Sequence, residues 1–321
     1  MRIEAPSASL RERLYSYSML IVVVTIFATI AALEPRVMAP NNILNILNQT
    51  AYLALFGAAQ SIVILTRGFD LSLGTAVSTT IVTALAMSGR GDLWIFAACL
   101  VGLGAAALVG LVNGLTIAFL RINPFIVTLA TFNILLAASS TISGGSPVTG
   151  LPARFVELFG IGTLAGLPVA VLLTGTVIAI LQFTLKATVF GRSLYLIGSN
   201  PQAASVAGIP VRFHLVCAYL LCGLLTGIGA VLLTARTGSG EPNLGGTLTL
   251  QTIAAAVVGG MSLRGGEGSM LAPLSGALFV TVLSNGMNLL QLDGYLQEIV
   301  LGALVVGALC LDRFRRSTRQ H

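Results

Sequence analysis

Residues 186–214 read KATVFGRSLYLIGSNPQAASVAGIPVRFH, a long polar stretch between two strongly apolar segments. Its middle predicts one complete short helix. Asn200 can cap the N-terminus with its side-chain oxygen, and Pro201 falls in the first turn, where a missing N–H costs nothing. Gly208 can take the left-handed conformation after the last turn, and Pro210 prevents continuation. A helix this short is marginal alone, so we predict that it packs against another protein.

The composition excludes an ordinary soluble protein. The chain has 321 residues, of which 55% are hydrophobic and 9% charged, against about 25% charged in soluble domains. The apolar runs are long and lack period-two alternation, so we predict an all-α integral membrane protein. The cysteines all lie inside apolar runs and lack metal-site spacing, so we interpret them as core residues: Cys99, Cys217, Cys222 and Cys310.

About ten apolar runs are long enough to cross roughly 30 Å of hydrocarbon. They lie at 17–33, 48–66, 71–88, 94–119, 124–141, 167–185, 214–234, 248–262, 270–290 and 295–311. The predicted organisation is an N-terminal tail, 1–16, one transmembrane domain, 17–311, and a basic C-terminal tail, 312–321. We expect the first run to be a retained span, because no small-residue cleavage site follows it.

The basic residues define the predicted topology. With both termini cytoplasmic, the inner segments hold 13 of the 17 Lys and Arg residues, as the positive-inside rule requires. The net charge of +6 is therefore a topology signal, and we expect no nucleic-acid partner. The longer outer loops, 142–166 and 235–247, are rich in glycine and proline and are predicted to be shaped loops.

Acidic and basic side chains are missing from the middle of every predicted span. Asp70 and Glu298 lie near span ends, and the two histidines, His214 and His321, lie at edges. Ion-coupled carriers usually need ionisable groups at membrane depth, and no phosphate-binding glycine motif is present. We therefore expect no catalytic residue, metal or cofactor here, and predict that energy for uphill transport enters through a partner.

Neutral polar residues recur inside the spans. Such groups should face other helices or a water-filled path, because lipid cannot satisfy them. An uncharged path of amides and hydroxyls suits a neutral polyhydroxylated solute, but for any single residue an ordinary interhelical hydrogen bond is the favoured interpretation. The candidate path residues are Gln60, Thr128, Thr131, Asn133, Ser139 and Asn285.

Two further patterns concern backbone packing. Gly110–Gly114 and Gly223–Gly227 have G-x-x-x-G spacing, which indicates close helix contact within the chain or a dimer interface. Two short connections predict tight cytoplasmic turns at the membrane surface. Asp70 can cap the helix that follows it, and glycines permit close approach in the second turn. The turn residues are Asp70, Gly74, Gly265 and Gly266.

Five segments together resemble a known family. They are GFDLSLG (68–74), NPFIVTLAT (123–131), GGSPV (144–148), FGRSLYLIGSN (190–200) and AAAVVGG (254–260). In this order they resemble permease subunits of ABC importers of the ribose/monosaccharide (branched-chain amino acid/ribose-type) family. The similarity extends from about residue 40 to residue 311.

This resemblance implies a role. Such permeases are ten-helix subunits of the bacterial inner membrane that pair around a central path. A separate ATPase docks from the cytoplasm, and a periplasmic binding protein delivers the sugar. The residues that the resemblance assigns to ATPase coupling are Gly191, Arg192, Asn200, Ala203, Ala204, Gly208 and Ile209.

Two other classes of function stay open from the residues. A secondary carrier or facilitator for a neutral solute would need no ATPase. An integral-membrane enzyme or scaffold is the remaining class, and an enzyme is disfavoured because the chain lacks a buried histidine, acid pair or metal cluster.

Overall fold

The computed structural model describes residues 10–243 and 245–317, and in these ranges the protein is a bundle of α-helices. The helices are α1 (Leu10–Leu33), α2 (Pro40–Leu65), α3 (Ala76–Met87), α4 (Ile95–Leu120), α5 (Pro124–Ser143), α6 (Ala153–Phe155), α7 (Val169–Ala187), α8 (Val189–Ser199), α9 (Pro201–Val206), α10 (Val211–Thr237), α11 (Gly245–Val258), α12 (Leu271–Leu289) and α13 (Gly294–Ser317). Short 3₁₀ turns cover Pro35–Met38, Leu71–Thr75 and Asp92–Trp94, and a π-helical turn covers Val156–Ile161.

Every predicted apolar run coincides with a helix, which confirms the all-α class. By length and composition, four helices in the described residues can cross a membrane: those ending at Leu120, Ser143, Ala187 and Thr237. Others are apolar but shorter, such as Met19–Leu33 and Thr247–Val258. The ten-span count and the side of the termini stay predictions. Helix α1 begins inside the predicted tail 1–16, and α13 extends into the predicted tail 312–321. Residues 1–9 and 318–321 lie outside the described part.

Helix α2 forms the centre of the bundle. It contacts α7, α10, α11 and α12, and its C-terminal half, from Leu53 to Leu65, is buried throughout. A helix that is apolar all round is expected in such a position. As a result, α2 ends inside the molecule rather than at its surface, and the connection that follows it starts from a buried point.

The largest helix–helix contact in the described residues joins α4 to α10. The two G-x-x-x-G pairs face each other there. A Cβ at Gly110 would lie 2.2 Å from the Tyr219 carbonyl oxygen, and a Cβ at Gly223 would lie 2.3 Å from that of Ala106. Only glycine permits this approach of the backbones. The glycine pairs therefore pack within one chain.

The two long glycine-rich loops contact each other. Val148 and Gly240 exchange backbone hydrogen bonds of 2.9 and 2.8 Å. The first loop also contains α6, the π-helical turn and a small hairpin of β1 (Thr163–Leu164) and β2 (Leu167–Pro168), which pair antiparallel. The sequence predicts shaped loops here but gives no periodic signal for these short elements.

Candidate functional site

The short helix of the polar stretch forms as the sequence predicts. Helix α9 is capped by the Asn200 side chain, which accepts a hydrogen bond of 3.0 Å from the Ala203 N–H. Gly208 has φ +82°, in the left-handed region. Both capping predictions are thus confirmed. Helix α8, which precedes α9, is not predicted by the sequence analysis. Its local signal is Thr188, whose hydroxyl accepts from the Gly191 N–H at 3.2 Å.

The residues assigned to ATPase coupling divide into two groups by exposure. Arg192, Asn200, Ala203 and Gly208 are exposed, and Ile209 is half-buried. Gly191 and Ala204 are buried, so they hold the segment together and do not offer a surface to a partner. Two of the residues that the resemblance assigns to coupling are therefore buried against the rest of the protein.

The sequence analysis missed the most prominent side chain of this surface. Val206, the last residue of α9, is 90% exposed. Exposed valine on a polar helix needs no explanation by itself. Here it lies at the tip of a helix delimited by Asn200 and Gly208, next to exposed Ala203 and Ala207. The tip is therefore a small apolar surface on a helix that is capped at both ends.

Helix α8 is joined to the rest of the bundle by several hydrogen bonds. The Tyr195 hydroxyl donates to the Gly268 carbonyl oxygen at 2.7 Å. The Arg67 guanidinium donates to the carbonyl oxygens of Gly198 and Ser199, at the C-terminal end of α8, where cations are favoured. A Cβ at Gly198 would lie 1.9 Å from the Leu65 carbonyl oxygen. Helix α8 therefore connects α9 to the end of α2.

The predicted turn residues lie deeper than expected. Asp70 is 3% exposed, and Gly74 and Gly265 are buried as well. Gly266 is half-buried, with its N–H donating to the Leu65 carbonyl oxygen at 2.9 Å. The first turn is enclosed by α4, α5, α10 and α11, because α2 ends inside the bundle. Its place at the membrane surface stays a prediction. The predicted cap is confirmed, since the Asp70 carboxyl accepts from the Ser72 N–H at 2.9 Å.

A chain of polar contacts leads from this turn to α5. Asp70 Oδ1 also accepts from the Ser72 hydroxyl, and Ser72 Oγ accepts from the Asn113 amide at 2.8 Å. Asn113 Oδ1 accepts from the Thr131 hydroxyl at 2.7 Å. Asn113 lies seven residues before the end of α4, about 10 Å from that end at about 1.5 Å per residue. The polar contacts thus lie well inside the bundle.

A cavity of about 240 Å³ adjoins these polar contacts. Helices α3, α4, α5 and α10 and the 3₁₀ turn Leu71–Thr75 surround it. Most of its wall is apolar. The polar side chains that line it are Asp70, Ser72, Thr75, Ser78, Thr79, Ser139 and Thr226.

The structure separates the predicted path residues. Ser139 lines the cavity, and Thr131 belongs to the polar contacts beside it. Thr128 is buried nearby, and its hydroxyl lies 3.4 Å from the Phe69 carbonyl oxygen. Asn133 is exposed on α5. Gln60 is fully buried on α2, and neither amide atom has a hydrogen-bond partner in the described residues.

Asn285 has a different role from the one its sequence position suggests. Its amide and that of Asn42 exchange two hydrogen bonds, of 2.9 and 3.0 Å, between α12 and the start of α2. Both polar groups are thus satisfied within the chain. Of the two interpretations left open by the sequence, an interhelical hydrogen bond is the one observed at this position.

We expect N285A to lower stability by about 1–2 kcal/mol, because the Asn42 amide loses its partner. N42A should cost at least as much, since Asn42 also donates to the Val37 carbonyl oxygen. The measurement is thermal unfolding of the purified protein in detergent for each single variant and the double variant. A coupling energy near zero in that cycle would contradict the pairing.

A second cavity, of about 370 Å³, lies between α2, α10, α11 and α12. Its polar lining includes Gln49, Tyr52, Arg236 and Gln251, and none of the predicted path residues borders it. In the part of the chain that the structure describes, no group of three His, Cys, Asp or Glu side chains could hold a metal ion.

Comparison with known proteins identifies the class of this bundle. Residues 42–309 match the family described as "Branched-chain amino acid transport system / permease component". The chain belongs to this family. The resemblance to sugar permeases of ABC importers is thereby confirmed, and the protein is a multi-pass membrane permease.

Individual relatives are similar over nearly their whole length. The ribose import permease protein of Bacillus subtilis is 38% identical, over 88% of each chain. That of Escherichia coli K12 is 36% identical, over 91% of this chain and 92% of the relative. The D-allose transport system permease protein of Escherichia coli K12 is 33% identical, over 92% and 91%. No solved structure matches the chain.

Proposed function

We propose that this protein is the membrane subunit of an ABC importer that carries a monosaccharide across the bacterial inner membrane. Ten spans place both termini in the cytoplasm. A separate ATPase contacts α8 and α9 from that side, and a periplasmic binding protein docks on the loops after α5 and α10. The relatives named for ribose and D-allose import support a sugar as the solute.

The observation that carries this proposal is the construction of α9. It is capped at both ends, it presents Val206 outward, and α8 ties it to the end of α2. A short, well-anchored helix with an apolar tip fits docking into a groove of a partner. ATP-driven closure of the ATPases would displace α9 and rock the bundle between inward- and outward-open states.

The exposed face of α5 supports pairing of two permease copies. Asn133 is exposed in the middle of α5, among Leu129, Ile134 and Ala137. Its amide donates to the Leu129 carbonyl oxygen of its own helix, which leaves the amide oxygen without a partner among the described residues. Such an oxygen is costly against lipid. A second copy, or a wet path between two copies, would satisfy it.

One observation favours the second candidate, a carrier that needs no ATPase. Asp70 is buried inside the bundle, and ionisable groups at membrane depth often belong to ion-coupled transport. The test is uptake into liposomes with and without the ATPase. We expect uptake of radiolabelled ribose only when ATPase, binding protein and ATP are all present. Accumulation by the permease alone would overturn the proposal.

A second experiment addresses the side of α9. We expect V206C, with the native cysteines replaced, to react with a membrane-impermeant maleimide in inside-out vesicles and not in right-side-out vesicles. N243C, in the loop after α10, is the matched control and should show the opposite pattern. Reaction of V206C from the periplasmic side would contradict ATPase coupling through α9.

A further inference from the structure

Asp70 has more hydrogen-bonding capacity than its neighbours use. Its Oδ1 atom accepts from the Ser72 N–H and hydroxyl at 2.9 and 2.5 Å. The Oδ2 atom lies 3.8 Å from the Cys222 sulfur, and thiols are weak donors. A carboxylate offers about four lone-pair positions. No salt bridge in the described residues includes Asp70.

A buried carboxyl group with an under-used oxygen is costly unless a donor reaches it. Asp70 does not need a charge to accept the hydrogen bond from the Ser72 N–H, because asparagine caps helices as well as aspartate does. Capping therefore explains Oδ1, whereas Oδ2 accepts from the Cys222 thiol, a weak donor. This points to a donor that arrives with a ligand.

The cavity beside Asp70 is suited to such a ligand. Its volume of about 240 Å³ is smaller than the roughly 300–1,000 Å³ of sites for drug-sized ligands, so a smaller molecule is expected. Its wall is mostly apolar, with hydroxyl groups of Ser78, Ser139 and Thr226 at separate points. A few placed polar groups on an apolar wall are typical of sites for small ligands. A monosaccharide presents hydroxyl donors together with apolar C–H faces.

We propose that this cavity is a sugar-binding subsite inside one permease subunit, in which Asp70 accepts a hydrogen bond from a hydroxyl of the transported monosaccharide. This inference rests on the proposed function. Ser72 and Asn113 orient the carboxyl group, and Thr226 faces the ligand from α10. The subsite adjoins α5, so a sugar on a path along α5 passes Asp70.

The test uses D70N, which keeps the cap and the side-chain size but turns one oxygen into a donor. Uptake of radiolabelled ribose, or of D-allose or fructose if the wild type prefers one of them, is measured beside its single-hydroxyl deoxy analogues. We expect at least about a tenfold rise in KM with kcat largely kept, the size of losing one buried hydrogen bond. We also expect D70N to lose the discrimination that the wild type shows against one analogue.

A second pair of variants keeps the proposal testable if D70N does not fold. T226V removes a hydroxyl from the cavity wall at constant size, and we expect a smaller shift of the same selectivity. T83V is its matched control, because Thr83 is buried outside the cavity, against Gly102. It should leave the selectivity unchanged.

Two results would overturn the subsite. One is wild-type selectivity in both D70N and T226V. The other is a proportional loss of uptake for the sugar and all its analogues, which indicates a purely structural carboxyl group. Failure of the proposed function is recognised separately, because wild-type uptake would then not depend on ATP, while the selectivity ratios could still be measured.

Discussion

We expect V206E to uncouple transport from ATP hydrolysis while the protein still inserts in the membrane. The physical reason is that Val206 is 90% exposed at the end of α9, where a partner would bury it. A carboxylate in that contact would be desolvated without a counter-charge, which costs several kcal/mol. We therefore expect ATP-dependent sugar uptake to fall by at least about a hundredfold, since about 1.4 kcal/mol corresponds to tenfold in affinity. Reconstituted uptake and stimulation of the ATPase by the permease measure it.

Q202E is the matched control, because Gln202 is exposed on the same short helix and receives the same charge without replacing an apolar side chain. It should retain most of the uptake, and V206A should lie between the two. Equal losses in V206E and Q202E would show that charge near α9, rather than the apolar tip, decides the outcome.

G223A should prevent stable folding. A Cβ there would lie 2.3 Å from the Ala106 carbonyl oxygen and 3.1 Å from the Gly110 Cα, and both are backbone atoms of α4. The two helices must move apart along their largest contact, so we expect a loss of about 3 kcal/mol or more. The yield of monodisperse protein and its unfolding temperature in detergent are the measurements.

G104A provides the control on α4, since a Cβ at Gly104 meets no atom within 4 Å. Alanine is favoured over glycine in a helix by about 1 kcal/mol. This variant should therefore be as stable as the wild type or more so. A G223A protein that unfolds at the wild-type temperature would show that α4 and α10 are not in close contact.

The elements that sequence analysis predicts are those governed by local rules. Ten long apolar runs predict helices without any knowledge of how these helices pack. Asn200 and Gly208 cap α9 through hydrogen bonds and backbone geometry within a few residues of sequence. The G-x-x-x-G pairs predict that each helix closely approaches another helix, but they do not identify that helix. In the structure, the glycines of α4 pack against those of α10.

Depth and pairing depend on the tertiary structure, so they escape the sequence. Asp70 stands near the end of an apolar run, and nothing in its neighbours indicates that α2 ends inside the bundle. Asn285 resembles Thr131 and Ser139 as a polar residue in a span, yet it faces Asn42 across 243 positions of chain. Helix α8 is missed because its apolar residues, such as Leu194 and Ile197, form one short amphipathic helix inside a stretch that is polar as a whole.

The bridge between Val148 and Gly240 has a consequence for divergence among such proteins. Its two hydrogen bonds involve only main-chain atoms, so they do not depend on the identity of the side chain at position 148. Side chains of the loop after α5 are therefore free to change while its course stays tied to the loop after α10. If the proposed binding protein docks on these loops, a lineage could therefore adapt to a new one by surface substitutions alone, while the backbone of both loops stays in place.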